Sequence, residues 1–326
     1  MTKAMVFTRY LAIVGFSLAL SVTAVPSGTA EPESSSRAGS STTEPAVLRV
    51  HRAVDAARRH DPIPDQLQPA LAGLHHDYAD LAGCNYTTGQ HRLCRRGAVH
   101  GTKTLVVLGD SHARAWIPAV ETIAARTGYA AYYLAKPGCT AARVIPDHGE
   151  GGFVGCVEWR EWALGAIRRL RPDVLIVTSA FPDGVVGPGG HRVTRPADIA
   201  ARVRAGLVST IRAVRDRVGH VFVLSDAPGL TDDPASCLAV VGADLGSCAS
   251  PPSDAAQLHF TADRTAARQT HTTFVDARSW FCSDGLCPAV VGTTVTYRDG
   301  GHMTTVYSRS LDWPLQHALR LAHLVL

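Results

Sequence analysis

Short apolar runs alternate with amphipathic segments from residue 104 onward. The apolar runs cover residues 104–108, 130–134, 174–178, 221–224 and 273–275. Runs that are apolar almost throughout predict strands buried on both faces, as in a parallel sheet. Apolar residues at helical spacing lie between and after these runs, over residues 115–126, 157–169, 197–218, 253–270 and 305–324. The alternation predicts a doubly wound α/β fold with helices on both faces of the sheet.

A smaller segment precedes this predicted domain. Apolar positions at helical spacing, interrupted by Pro62 and Pro64, predict two short helices within residues 47–83. Turn residues with two cysteines follow and predict a stapled loop over residues 84–96. We therefore expect a small N-terminal helical appendage over residues 46–99 and a main domain over residues 100–326.

The first 45 residues have the composition of a leader and a tether. Lys3 and Arg9 precede an apolar stretch over residues 11–25, and small residues follow it, which predicts a secretory signal peptide over residues 1–30. The alternative is an uncleaved anchor that would hold the protein at the membrane. Residues 31–45, rich in Ser, Thr, Glu, Pro and Gly, are predicted to be a disordered linker. No apolar run reaches the roughly 18 residues that cross a bilayer, so no integral membrane domain is expected after cleavage.

Charge and motifs exclude several classes of partner. The chain has 326 residues and a formal net charge of +4, with lysines only at positions 3, 103 and 136. The scattered arginines form no basic stripe that would neutralise a phosphate backbone, so nucleic acid is not an expected partner. Neither a Gly-x-Gly-x-x-Gly motif nor a P-loop follows any predicted strand, which argues against a nucleotide cofactor.

The cysteines indicate an oxidising compartment. All eight lie after the predicted signal peptide, and an even number is typical of disulfides in exported proteins. Other pairings stay open, but the grouping suggests Cys84 with Cys94, Cys139 with Cys156, Cys237 with Cys248, and Cys282 with Cys287. A zinc site is the rival interpretation, yet the ligand spacing of Cys-x-x-Cys is missing. We expect a secreted or extracytoplasmic protein without a metal.

Polar residues that could take part in catalysis follow the first predicted strand. Gly109, Asp110, Ser111 and His112 place a hydroxyl and backbone N–H groups at a strand end, where doubly wound sheets bind ligands. The same residue types are also common helix caps, so the motif alone is not specific.

A second polar motif lies after the last predicted strand. Asp299 precedes His302 by three residues, with two glycines between them. A serine nucleophile needs a base, and the base needs an orienting acid. Taken alone, the pair is typical of a solvated surface turn. Coupled to Ser111 across the sheet edge, it indicates a Ser-His-Asp site.

Together these motifs resemble the SGNH, or GDSL-type, hydrolases. The closer resemblance is to the extracytoplasmic SGNH domain that is often fused to membrane O-acyltransferases of the acyltransferase-3 family. It rests on the segments at 109–113, 136–139, 171–173, 225–228, 280–282 and 297–302, with Ile63, Pro64, Cys84, Cys94, Cys156, Trp159 and Cys237. The resemblance implies a three-layer αβα sheet of flavodoxin-like order.

The resemblance also implies roles for individual residues. Ser111 would be the nucleophile, His302 the general base and Asp299 its orienting acid. The backbone N–H groups of Ser111 and Gly138 would bind the oxyanion of a tetrahedral intermediate.

One residue of the family pattern is missing. The family places an asparagine after the third strand as a further oxyanion donor, but the single asparagine here, Asn85, precedes the nucleophile. Thr178 and Ser179 stand at the end of that strand, and we expect a hydroxyl there, that of Ser179, to donate instead.

These features predict a serine-dependent esterase or transferase for O-acyl groups, expected to be acetyl, on a cell-envelope glycan. Acyl transfer through a triad needs no cofactor, and none is expected. A membrane O-acyltransferase is a further expected partner. The alternative is a catalytically silent glycan-binding or partner-binding module of the same fold, which the missing asparagine favours. A metallophosphoesterase is excluded because no second Asp-x-His motif completes a two-metal site.

Overall fold

The computed structural model describes residues 45–321 except 88, 90 and 150. The predicted signal peptide and residues 31–44 of the predicted linker lie outside the described residues. The helices are α1 Ala46–Arg58, α2 Ser111–Ala115, α3 Ile117–Thr127, α4 Val154–Leu170, α5 Pro196–Val214, α6 Pro234–Leu238, α7 Asp254–Gln269, α8 Thr305–Ser310 and α9 Asp312–Leu321. Within the described ranges, none of them is long and apolar enough to cross a membrane.

The strands form one principal sheet and two short pairs. Their bounds are β1 Arg96–Gly97, β2 Lys103–Gly109, β3 Tyr129–Ala135, β4 Val174–Thr178, β5 Val185–Val186, β6 Arg192–Val193, β7 His220–Leu224, β8 Thr273–Val275, β9 Val290–Val291 and β10 Thr294–Val295. The principal sheet has the order β1-β3-β2-β4-β7-β8, and all neighbours are parallel except the short edge strand β1. The short pairs, β5 with β6 and β9 with β10, are antiparallel hairpins.

The order of the five parallel strands creates a crevice beside β2. The chain passes from β2 to β3 on one side and then crosses to β4 on the other. Such a switch point in a doubly wound sheet is where ligands bind, outside the carboxyl ends of the strands. Ser111 follows β2 directly, and Ser179 follows β4. The topology therefore places both residues at one end of the sheet.

The core explains why these segments form strands and helices. Residues 105–108 of β2 and 174–176 of β4 are fully buried, because helices cover both faces of the sheet. On one face α3 packs with α8 and α9, and on the other α5 packs with α4 and α7. This three-layer arrangement confirms the predicted fold class.

The entry segment contains one α-helix instead of the predicted two. Helix α1 forms as expected, but the second predicted helix is replaced by extended chain and a short 3-10 turn, Leu74–His76. The physical reason lies in the backbone pairing. Gln68 donates its N–H to the carbonyl of Thr293 at 2.9 Å and accepts one from Val295 at 2.9 Å. An extended segment that pairs in this way cannot satisfy the same groups within a helix.

The entry segment is tied to the main sheet and to the helix that follows His302. Val50 and Val54 of α1 are buried in the common core, and β1 pairs with β3. The carboxylate of Asp77 accepts hydrogen bonds from the backbone N–H and the hydroxyl of Thr305, at 2.6 and 2.7 Å. Asp77 therefore anchors the start of α8.

Four disulfides link cysteines that are close in sequence. The pairs are Cys84–Cys94, Cys139–Cys156, Cys237–Cys248 and Cys282–Cys287. The second pair joins the loop after β3 to α4, and that loop contains Gly138. Because a cross-link restricts the unfolded chain, this bridge stabilises the fold, and it ties the loop that contains Gly138 to α4.

Gly109 permits the close contact between the end of β2 and β4. A Cβ atom at this position would lie 1.8 Å from the carbonyl oxygen of Thr178 and 2.7 Å from the Cβ of Ala113. Neither neighbour is the end of a flexible side chain. A larger residue therefore requires the backbone of β2, β4 or α2 to move.

We expect Gly109→Ala to lower the free energy of unfolding by about 3 kcal/mol or more, because backbone atoms must separate. The control is Gly165→Ala within α4, where the nearest atom is the end of the Arg169 side chain at 3.3 Å. That substitution should stabilise the protein by about 0.5–1 kcal/mol through helix propensity. Chemical denaturation of both variants measures the difference. Equal stabilities would contradict the close packing of β2 against β4.

Candidate active site

Ser111 is held at the end of β2 by the carboxylate of Asp110. Asp110 accepts a hydrogen bond from the backbone N–H of His112 at 2.9 Å, which caps α2. It also accepts one from the N–H of Ala180 at 2.9 Å, and so bridges the loops after β2 and β4. Burial raises the pKa of Asp110, while the charge of His112 and these hydrogen bonds oppose the shift.

Asp299 and His302 form a tight turn before α8. The Oδ1 atom of Asp299 accepts the backbone N–H groups of Gly301 at 2.9 Å and His302 at 2.7 Å. The imidazole Nδ1 of His302 lies 2.9 Å from Oδ2 of the same carboxylate. Burial alone would raise the pKa of Asp299, but the hydrogen bonds from the His302 ring and backbone, together with the Gly301 N–H, hold it well below its usual range. The carboxylate is therefore ionised and fixes the imidazole.

The turn brings His302 to Ser111. The Nε2 atom of His302 lies 2.8 Å from the Oγ of Ser111, although the two residues are 191 positions apart. With the carboxylate on Nδ1, the ring carries its proton there and presents a free lone pair to the hydroxyl. The His302 side chain is 21% exposed, so the group is accessible from solvent. The structure thus joins Ser111, His302 and Asp299 in one hydrogen-bonded line.

Gly138 presents its backbone in a conformation that favours glycine. Its φ is +70°, and a Cβ atom there would lie 3.1 Å from the Nε2 of His148. The same imidazole nitrogen lies 3.1 Å from the Gly138 carbonyl oxygen. Among the described residues, neither the N–H of Gly138 nor that of Ser111 donates to a protein acceptor. Both groups are thus available to a ligand.

Ser179 lies in a different environment from the one expected for an oxyanion donor. It is 7% exposed, and its Oγ accepts a hydrogen bond from the backbone N–H of Ala141 at 2.9 Å. It lines a small internal cavity with Thr178 and His259 and does not line the pocket that contains Ser111. The observed contact links the end of β4 to the loop that carries Gly138.

The sequence interpretation missed a second histidine and aspartate beside the triad. His112 Nδ1 lies 2.8 Å from Oδ1 of Asp226, and its ring centroid lies 4.4 Å from that of His302. Burial alone would lower the pKa of His112, but Asp226, with the charges of Asp110 and Asp299, raises it to about 9. His112 is therefore a cation at neutral pH, and its ring lies next to that of His302. A signal was present, because Asp226 lies two residues after the end of β7 and the strand ends are where polar residues converge.

The ionisable network continues into the protein interior. The Oδ2 atom of Asp226 is 4.0 Å from Nδ1 of His259, and Nε2 of His259 is 3.3 Å from Asp263. Burial, reinforced by the charges of Asp226 and Asp110, raises the pKa of Asp263 to about 6, while His259 opposes the shift. His259 and Asp263 are four residues apart on α7, a spacing that places both side chains on one face of the helix.

Two depressions meet at the pair of histidine rings. The larger has a volume of about 810 Å³ and is lined by His112, Asp226, Phe181 and the glycines before His302. The smaller has a volume of about 180 Å³ and contains Ser111 and His302. Ser111 therefore belongs to the smaller pocket, and the larger cleft lies on the other side of the histidine pair.

No metal-binding arrangement is found within the part of the chain that the structure describes. There, no group of three or more His, Cys, Asp and Glu side chains is positioned to hold an ion.

Comparisons with known proteins were made for the sequence and for the fold. Residues 80–313 match the family model of the SGNH domain fused to AT3 domains. No curated protein matches the sequence.

Among solved structures, the periplasmic domain of the lipopolysaccharide acetyltransferase of Salmonella ser. Paratyphi A is similar, with a TM-score of 0.54 and 13% identity, over 85% of this chain and 100% of that one. Est24, a carbohydrate acetylesterase from Sinorhizobium meliloti, gives a TM-score of 0.42 and 17% identity, over 68% of this chain and 99% of that one. The M. smegmatis aryl esterase gives a TM-score of 0.42 and 18% identity, over 68% of this chain and 99% of that one.

The His112–Asp226 pair predicts a pH-dependent contribution to stability. Because the folded-state pKa of about 9 lies above the ordinary value of 6.5, this contribution is complete below about pH 6.5 and is lost as the pH rises through 9. We expect His112→Asn to lower the unfolding temperature at pH 6 and to have progressively less effect up to pH 10. Thermal unfolding against pH measures this, with exposed His100→Asn as the control. If the unfolding temperature of His112→Asn lies below that of the wild type by the same amount at every pH, the ion pair between His112 and Asp226 is refuted.

Proposed function

This chain belongs to the family of SGNH domains that are fused to AT3 domains, and on that basis we propose that it is a serine-dependent O-acyl esterase or acyltransferase. One observation carries the proposal. The hydroxyl of Ser111, the imidazole of His302 and the carboxylate of Asp299 are joined by contacts of 2.8 and 2.9 Å. A serine with an oriented base at hydrogen-bond distance is the arrangement that nucleophilic acyl transfer requires.

In the first step, the Ser111 Oγ attacks the carbonyl carbon of the ester while His302 Nε2 accepts the hydroxyl proton. The Asp299 carboxylate stabilises the imidazolium that forms, through its hydrogen bond to Nδ1. His302 then gives the proton to the leaving alcohol oxygen as the bond from carbonyl carbon to that oxygen breaks. The product is an acyl-Ser111 intermediate and a free hydroxyl.

The oxyanion of the tetrahedral intermediate is assigned to the N–H groups of Ser111 and Gly138. Both lack an acceptor among the described residues, and a donor of this kind typically contributes about 3 kcal/mol to transition-state stabilisation. Ser179 has a supporting position, because its bond to Ala141 fixes the Gly138 loop. Donation by its hydroxyl to the oxyanion stays a prediction.

Deacylation completes the reaction. The oxygen of water, for hydrolysis, or of an acceptor hydroxyl, for transfer, attacks the acyl carbon while His302 accepts its proton. His302 then gives that proton to the Ser111 Oγ as the bond between the acyl carbon and Oγ breaks. The two outcomes differ only in the attacking oxygen, and neither step uses a cofactor.

We propose an acylated cell-envelope glycan as the substrate and an extracytoplasmic location. Four disulfides support an oxidising compartment, and the structurally similar Salmonella domain is the periplasmic part of a lipopolysaccharide acetyltransferase. The cleft of about 810 Å³ is large enough for sugar residues. The family description also supports a membrane O-acyltransferase as the partner that supplies or receives the acyl group.

A fluorophosphonate should form one covalent adduct with the protein, and Ser111→Ala should abolish it. The reason is that only a serine activated by a base attacks the reagent. Intact mass spectrometry measures the adduct, and Ser209→Ala, an exposed serine on α5, is the matched control. Hydrolysis of p-nitrophenyl acetate should fall by at least about 10³-fold in Ser111→Ala. No adduct on folded protein would favour the silent binding module.

Gly138→Ala should lower kcat for p-nitrophenyl acetate by about 10²-fold, because a displaced oxyanion donor no longer matches the transition state. Gly128→Ala is the control, since its φ of +79° imposes the same backbone strain with no atom within 4 Å of the new Cβ. Both substitutions should lower the free energy of unfolding by about 1 kcal/mol. An equal loss of kcat in the two variants would contradict a role for the Gly138 N–H.

A further inference from the structure

The pocket that contains Ser111 also contains two arginines. Arg114 and Arg298 line it together with His302 and Pro137, which precedes Gly138. Its volume of about 180 Å³ is below the roughly 300–1,000 Å³ of sites that hold a whole small molecule. The pocket is therefore suited to one substituent of a substrate, next to the atom that attacks.

Arg114 is buried without full compensation of its hydrogen-bond donors. It is 8% exposed, its Nε donates to the carbonyl of Ala79 at 2.6 Å, and its guanidinium carbon lies 4.6 Å from the ring centroid of Tyr78. The Nη2 atom is buried and has no hydrogen-bond partner among the described residues. A guanidinium stays protonated in proteins. One nitrogen of a permanent cation, on a side chain that lines the pocket of Ser111, thus has no acceptor.

Arg298 approaches the same ring from the loop that carries the triad acid. Its Nη1 donates to the carbonyl of His75 at 2.7 Å, and its guanidinium carbon lies 5.5 Å from the Tyr78 ring centroid. Its Nη2 is 3.7 Å from Oδ2 of Asp299. That distance exceeds a hydrogen bond, and Asp299 already binds the ring of His302. At this distance Asp299 still forms an ion pair with Arg298 and balances its charge.

The other carboxylates near the pocket are engaged elsewhere. Asp77 accepts both hydrogen bonds of Thr305. Asp80 accepts from the N–H of Ala82 and the side chain of Asn85. Asp80 interacts with Arg114 only electrostatically, without a hydrogen bond to its guanidinium. With Arg298 paired to Asp299, about one positive charge, that of Arg114, has no carboxylate bound to it among the described residues.

A buried and unpaired cation is costly, and a guanidinium matches the two oxygens of a carboxylate. We propose that this pocket binds a carboxylate of the substrate through Arg114 and Arg298, next to the ester that Ser111 attacks. The inference rests on the proposed function and specifies its substrate as anionic. A single negative charge matches the single uncompensated positive one.

The carboxylate has two chemical sources. It is either the free end of a dicarboxylic acyl group that is esterified at its other end, or the acid group of a sugar in the glycan. Both place one planar anion within a few bonds of the scissile ester, and matched compounds distinguish them.

Binding of compounds that the enzyme cannot hydrolyse tests the pocket directly. Succinamate and neutral succinamide represent the acyl source, and methyl glucuronoside and methyl glucoside represent the sugar source. We expect the anion of one pair to bind at least about 10-fold more tightly than its neutral partner, since hydrogen bonds between charged groups have this strength. The pair that shows the difference identifies the source. Isothermal titration calorimetry on the mature protein measures all four dissociation constants.

The variants Arg114→Gln and Arg298→Gln should each remove this preference for the anion, whereas Arg320→Gln, an exposed arginine on α9, should keep it. Arg114→Gln also loses the hydrogen bond to the Ala79 carbonyl and could unfold for that reason. In that case Arg298→Gln, together with the affinities of the wild-type protein for each anion and its neutral partner, still tests the proposal. Equal affinities within both pairs, or a preference that persists in the Gln variants, would overturn the proposal. Because binding requires no turnover, this failure is distinguishable from failure of the esterase, which fluorophosphonate labelling reports.

Discussion

The buried carboxylate of Asp110 is the contact on which the site depends. It accepts one N–H from the turn after β2 and one from the turn after β4, so the nucleophile is fixed relative to a neighbouring strand as well as to its own. Gly109 makes this possible, because the backbones approach too closely for a side chain there. Ser111 consequently has a defined position before His302 reaches it. A nucleophile held by backbone contacts loses little entropy on reaction, which is the basis of orientation effects in catalysis.

The base is positioned by an independent device at the far end of the chain. Asp299 binds two backbone N–H groups of its own turn and the imidazole ring at once, which keeps the carboxylate ionised and the ring in one orientation. The entry segment contributes to this position, because Asp77 anchors the first residue of the helix after the turn. The triad therefore depends on segments from the beginning, middle and end of the folded chain.

The charges around the triad divide its surroundings into two sides. His112, paired with Asp226, forms the side that opens to the larger cleft, while Arg114 and Arg298 form the side around Ser111. The charge of His112 is balanced by Asp226, whereas Arg114 brings positive charge to the side around Ser111, in a partly dry environment where electrostatic interactions are stronger than in water. Such a field favours the negative charge that develops on a tetrahedral intermediate. It also favours an anionic substrate over a neutral one.

Local chemistry in the sequence was sufficient to predict a doubly wound sheet and to suggest three candidate triad residues, while the flavodoxin-like strand order was implied by the family resemblance. The buried strands have continuous apolar runs, and Ser111 and the Asp299–His302 turn stand at strand ends, where the topology must bring them to one edge. The second helix of the entry segment was predicted wrongly, because Gln68 pairs with the segment around β10, and such long-range pairing leaves no local pattern. Only the tertiary structure showed the Asp110 bridge, the contact between the rings of His112 and His302, and the unpaired nitrogen of Arg114. Periodicity reports which face of an element is buried, whereas these features depend on which distant side chains share the buried space.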